Sequence, residues 1–122
     1  MKKPLILIVN DDGITAPGIR KLIDIMNNLG DVVVVAPDKP QSGKSHSISL
    51  NTVIRCNPFI FDNGPQKEYA CSGTPVDCVK LAFNKILHRK PDLCVSGINH
   101  GSNSSINVVY SGTMSAAIEA SI

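Results

Sequence analysis

The sequence predicts an α/β fold, a mostly parallel β-sheet with helices between strands and an antiparallel β excursion inserted midway. Three observations predict it. The runs 5–9 and 32–36 are continuously apolar and of strand length, as strands buried on both faces are. Between them Ile19, Leu22, Ile23, Met26 and Leu29 recur at helical spacing. Beyond a polar middle stretch, a second helix and strand repeat the pattern with Gly and Pro at their boundaries.

Each element has a local reason. Strand 5–9 is bounded by Lys2-Lys3-Pro4 and by Asn10-Asp11-Asp12-Gly13. The helix after it takes Pro17 in its first turn and closes at Gly30. Strand 32–36 stops at Pro37, and the β-α-β unit so formed should cross over right-handed. Residues 39–47 are polar, and 47–57 and 59–72 read as short strands around the turn Asp62-Asn63-Gly64-Pro65. These form the expected antiparallel excursion. A second helix opens with Thr74 as N-cap, Pro75 at N1 and Asp77 in the first turn. Its apolar stripe is Val76, Val79, Leu81, Ala82, Phe83, Ile86 and Leu87. Strand 92–96 follows Pro91, 97–109 reads as a Gly/Asn/Ser-rich loop, and 111–122 as a closing helix. No repeat, linker or low-complexity stretch divides the chain, so 1–122 reads as one domain.

Composition narrows the function. Hydrophobic residues make up 43% of the 122, enough for a core, and charged residues 18%. No apolar run approaches the roughly 18 residues of a membrane helix, and no secretory leader is expected. A net charge of +2 is too small for gripping a nucleic-acid polymer, and without Trp a base-stacking platform is not expected. Cys56, Cys71, Cys78 and Cys94 form no C-x-x-C pair and read as reduced, buried thiols of a cytoplasmic protein; a structural zinc or a disulfide is the alternative.

Ligands of open parallel sheets bind beyond the carboxyl ends of the strands, and the unusual polar clusters fall there. Asp11 and Asp12 repel each other, and holding both ionised calls for a cation. Carboxylates, the Ser42 hydroxyl and the Asn99 amide are hard oxygen donors suited to Mg²⁺, Mn²⁺ or Ca²⁺. The alternative is a helix-capping Asp-Asp-Gly turn. Ser111-Gly112-Thr113, at an expected helix start, offers N–H groups and hydroxyls to an anion, or is an ordinary Ser cap. Asn103 can donate to the same anion. Lys39, Lys44 and His46 either close over a phosphate or belong to a solvated loop. His100 is a proton carrier or a polar loop residue, and His88 serves a helix end.

Together, Val9-Asn10-Asp11-Asp12-Gly13 with Ala16-Pro17-Gly18, Val35-Ala36-Pro37-Asp38 with Gln41-Ser42-Gly43, Gly73-Thr74-Pro75-Val76-Asp77-Cys78-Val79, Ser96-Gly97-Ile98-Asn99 with Gly101-Ser102-Asn103, and Tyr110-Ser111-Gly112-Thr113 with Ala116-Ala117 resemble the SurE family of survival-protein 5′/3′-nucleotidases. The resemblance implies a Rossmann-like core with an extended β excursion. It implies a cytoplasmic, divalent-metal-dependent phosphatase acting on nucleoside monophosphates, and possibly short polyphosphate. Its metal ligands would be Asp11, Asp12, Ser42 and Asn99, with Asp11, Asp12 and Asn99 also catalytic. Asn103, Ser111, Gly112 and Thr113 would surround the phosphate. Family members form dimers or tetramers and continue well beyond residue 122, so this chain reads as the N-terminal part of the family fold. The loop Asn103-Ser104-Ser105-Ile106-Asn107 lacks the glycine and acidic residues of the family pattern.

Three other readings compete. A phospho-receiver module also has an acidic pair after strand one, but needs an acceptor Asp where 96–99 reads Ser-Gly-Ile-Asn. A dinucleotide-binding oxidoreductase needs a G-x-G-x-x-G after strand one, which is absent. A nucleotide- or metal-binding fragment without turnover stays open.

Overall fold

A computed structural model of the chain describes residues 3–40, 53–98 and 105–111. Its described residues build one six-stranded sheet in the order β3-β4-β2-β1-β5-β6. At its centre lies β1 (Leu5–Val9), parallel to β2 (Asp31–Pro37) on one side and β5 (Leu93–Ser96) on the other. All five β1 residues are buried, as a strand covered on both faces requires.

Alternation along the strands divides the core into two layers. Helix α1 (Pro17–Asn27) lays Ile19, Leu22, Ile23 and Met26 on one face, against Ile6, Ile8, Val32, Val34 and Val95. The other face carries Leu7, Val9, Val35, Cys71 and Cys94, covered by Cys78 of α2 (Pro75–Leu81) and by Ala82. A capping box starts α2. The Thr74 side chain accepts from the Asp77 N–H at 3.2 Å, and the Asp77 carboxylate accepts from the Thr74 N–H at 2.8 Å. The helix then widens into a π-helical turn, Ala82–Ile86, closed by Leu87 N–H donating to the Ala82 carbonyl at 2.9 Å.

Two elements differ from the sequence expectation. The excursion does contain an antiparallel pair, β3 (Cys56–Pro58) with β4 (Lys67–Cys71), but β4 itself joins the main sheet parallel to β2. Glu68 disguised it, since a carboxylate looks foreign to a strand inside a parallel sheet. The Arg20 guanidinium bonds both Glu68 oxygens, at 2.6 and 2.8 Å, which allows the buried carboxylate to stay there. The second difference is β6 (Asn107–Ser111), antiparallel to β5, where a loop and then a helix start were expected. Its Val-Val-Tyr run favours a strand and pairs with the β5 edge. Residues 112–122 of the expected closing helix lie outside the described residues.

Candidate functional site

β1 delivers the acidic pair to the carboxyl rim of the sheet. Val9 pairs with Ser96, so Asn10 to Gly13 leave beside the end of β5. Asn10 is buried, and its amide Nδ2 donates to the Gly13 carbonyl at 2.7 Å. That bond closes the turn in which Asp11 stands exposed and Asp12 half-buried. Gly13 has φ of 102°, a conformation that favours glycine. Its Cα faces the backbone of Lys39 and Pro40, and Ile14 N–H donates to the Pro37 carbonyl at 2.8 Å. The acid turn thus packs on the chain that leads toward Ser42.

A second close approach comes from the other side. A Cβ on Gly18 would collide with the Ile98 carbonyl, so the first turn of α1 lies against the residue before Asn99. Among the described residues no side chain caps α1: Ala16 is its N-cap and Pro17 its first residue. The positive end of this helix therefore faces the same rim. Arg20 steadies the arrangement, donating to the Ile14 carbonyl at 3.1 Å while it holds Glu68.

Of the residues expected to form the site, Asp11 and Asp12 stand together here. Ser42, Asn99, Asn103, Gly112 and Thr113 lie outside the described residues, as do Lys44, His46 and His100. The backbone of Ser111 ends β6 opposite Leu93, where a helix start was expected. Lys39 is exposed beside the turn, and His88 is exposed at the opposite end of the sheet. There it lines a cavity of about 460 Å³ with Lys3, Lys67 and Arg89, remote from the acid pair. Asn10 and Arg20 were not singled out as site residues. For Asn10 the signal was a polar side chain directly after a fully apolar strand.

The residues present suit a hard divalent cation. Two carboxylates share one turn, and the buried Asn10 Oδ1 beside them accepts no hydrogen bond from the described residues. Among the described residues no group of three or more His, Cys, Asp or Glu side chains assembles a metal site. A cation held there would need further donors, and the expected ones are the oxygens of Ser42 and Asn99.

Comparison with known proteins fixes the family. The sequence profile of the family described as Survival protein SurE matches residues 6–122. The chain belongs to the SurE family. It is 68% identical to a 5'-nucleotidase SurE of Christiangramia forsetii, across 99% of this chain and 47% of that protein. Against a 5'-nucleotidase SurE of Flavobacterium johnsoniae it is 69% identical, across 99% of this chain and 47% of the relative. The crystal structure of the SurE protein from Aquifex aeolicus superposes with a TM-score of 0.68 at 42% identity, covering 82% of this chain and 39% of the other. This SurE chain thus spans about half the length of the curated relatives it matches.

Proposed function

We propose that this SurE chain carries the metal and phosphate site of a divalent-metal-dependent phosphatase that hydrolyses nucleoside 5′- and 3′-monophosphates. What supports the reading most is the Asp11–Asp12 turn at the end of β1, whose Gly13 lies against the Lys39–Pro40 backbone that leads to Ser42, while Gly18 of the following helix lies against Ile98, the residue before Asn99. The relatives named 5'-nucleotidase SurE point to the same class of reaction.

In this reading Asp11, Asp12, Ser42 and Asn99 hold one Mg²⁺ or Mn²⁺. Held by these residues, such a cation would supply positive charge for phosphoryl oxygens and a lowered pKa for a bound water. Asp11 and Asp12 bind and orient, and one of them directs the attacking water in line with the scissile P–O bond. Asn10 fixes the turn from within, so the carboxylates need no reorganisation when substrate arrives. Asn103, Ser111, Gly112 and Thr113 donate to the phosphate. The reading includes a cytoplasmic homodimer or homotetramer, as the family resemblance implies, with no polymer or membrane as partner; no helix among the described residues is long and apolar enough to cross a membrane.

The test is phosphate release from AMP, GMP and CMP with Mn²⁺ or Mg²⁺. The reading expects turnover that EDTA abolishes and that Asp12→Asn removes. Full activity in either case contradicts it. A second reading is nucleotide binding without turnover. Calorimetric binding of AMP without phosphate release would favour it.

A further inference from the structure

Cys56 and Cys71 face each other across β3 and β4. Their pairing type follows from the flanking bonds. Ser72 N–H donates to the Arg55 carbonyl at 2.8 Å, and Phe59 N–H to the Glu68 carbonyl at 2.9 Å. The hydrogen-bonded pairs of this ladder are therefore 55/72 and 59/68, with 57/70 between them, which leaves 56/71 and 58/69 as non-hydrogen-bonded pairs. Pro58, which has no N–H, occupies the latter class, as it should. Non-hydrogen-bonded partners bring Cα atoms to about 4.5 Å. That falls inside the roughly 4.4–6.8 Å span of disulfides.

Both side chains point to the α2 face, where Cys71 is fully buried beside Cys78 and Cys56 is half-buried. A reagent therefore reaches Cys56 first. Cys94 is buried in the same layer but on β5, three strand spacings or roughly 14 Å from β4. We propose that Cys56 and Cys71 are a modification site, a dithiol that small-molecule disulfides convert to a cross-strand disulfide. The Cys56 thiolate attacks the reagent disulfide, forming a mixed disulfide and releasing one thiol. The Cys71 thiolate then attacks Cys56 Sγ and expels the second. The two cysteines lose two electrons and two protons, and the reagent disulfide becomes two thiols. Burial, with the neighbouring Cys71 thiol, raises the Cys56 pKa to about 12, so the first attack is slow at neutral pH. Register decides which partner completes the second.

The bond would weld the edge strand β3 to β4. It would act close to the candidate site, because the Cys71 carbonyl accepts the Asp38 N–H at 2.7 Å, at the end of β2. It would also close a loop of about 16 residues and so constrain the unfolded chain.

The experiment treats the reduced, folded full chain with excess glutathione disulfide at mildly alkaline pH, then reads intact mass and a non-reducing peptide map. Expected are a protein lighter by two hydrogens, two of the four thiols lost, and a Cys56–Cys71 cross-linked peptide. The urea midpoint should rise and return on reduction. Cys78→Ala should give the same cross-link, and Cys56→Ser should give none. A product that stops at the Cys56–glutathione adduct, a cross-link from Cys56 to Cys78, or four intact thiols under conditions that oxidise a peptide dithiol would overturn the proposal.

Discussion

Arg20 and Glu68 form a two-bonded ion pair between α1 and β4, with side chains only 12% and 3% exposed. The guanidinium also stacks 4.1 Å from the centroid of Phe61 and reaches Asp62 at 3.5 Å. Its hydrogen bond to Glu68 outweighs desolvation and holds Arg20 more firmly protonated than usual. Breaking such a buried pair leaves one charge uncompensated and costs roughly 3–5 kcal/mol. We expect Arg20→Met to lower the unfolding free energy from urea melts by that amount, and the Arg20→Met/Glu68→Leu double variant to recover much of it. Equal losses in the single and double variants would show that the pair matters only through packing.

Gly18 sits under the Ile98 carbonyl, where a methyl group has no room. Gly18→Ala should cost about 1–3 kcal/mol through displaced backbone. Because Ile98 immediately precedes Asn99, Mn²⁺ affinity measured by calorimetry should fall as well. Wild-type stability and affinity in this variant would refute the close approach.

The capping box of α2 gives a more local expectation. Thr74→Ala removes the acceptor of the Asp77 N–H and should destabilise by about 1 kcal/mol, read as a shift in thermal midpoint. Thr74→Ser keeps the hydroxyl and should behave as wild type.

Acid should weaken the fold through Asp92. Its carboxylate accepts from Leu5 N–H at 2.7 Å and from Arg89 at 3.0 Å, and these bonds lower its pKa in the folded chain. A lowered folded pKa means stability fully present above the unfolded value of about 3.9 and lost as pH falls through the folded one. On this account the urea midpoint changes little between pH 7 and 5 and drops below about pH 4. Asp92→Asn keeps an acceptor but does not titrate, so its acid drop should be smaller. An unchanged drop would assign the acid response to other groups.

Much of this was legible in the chain itself. The five apolar residues of β1, the helical spacing in α1 and the Thr-Pro-Val-Asp start of α2 each carry a local physical signal, and each stands where that signal put it. The pairing of β4 was not legible, because its one buried charge is matched by Arg20, 48 residues away. Nor was β6, whose valines follow a Gly/Asn/Ser-rich stretch that reads as loop. At the site, the acid pair stood out by type. The backbone contacts near it, Gly13 on Lys39 and Gly18 on Ile98, are tertiary and leave only a glycine behind in the sequence.

The central claim is that the Asp11–Asp12 turn holds the divalent cation. Calorimetric titration of the full chain with Mn²⁺, beside the Asp11→Asn/Asp12→Asn variant, tests it most directly. The account predicts one site per chain in the wild type. In the variant it predicts binding at least roughly 100-fold weaker, beyond what loss of an outer-shell partner gives, with an unfolding midpoint no lower than wild type. Equal Mn²⁺ affinity in both proteins would contradict the account.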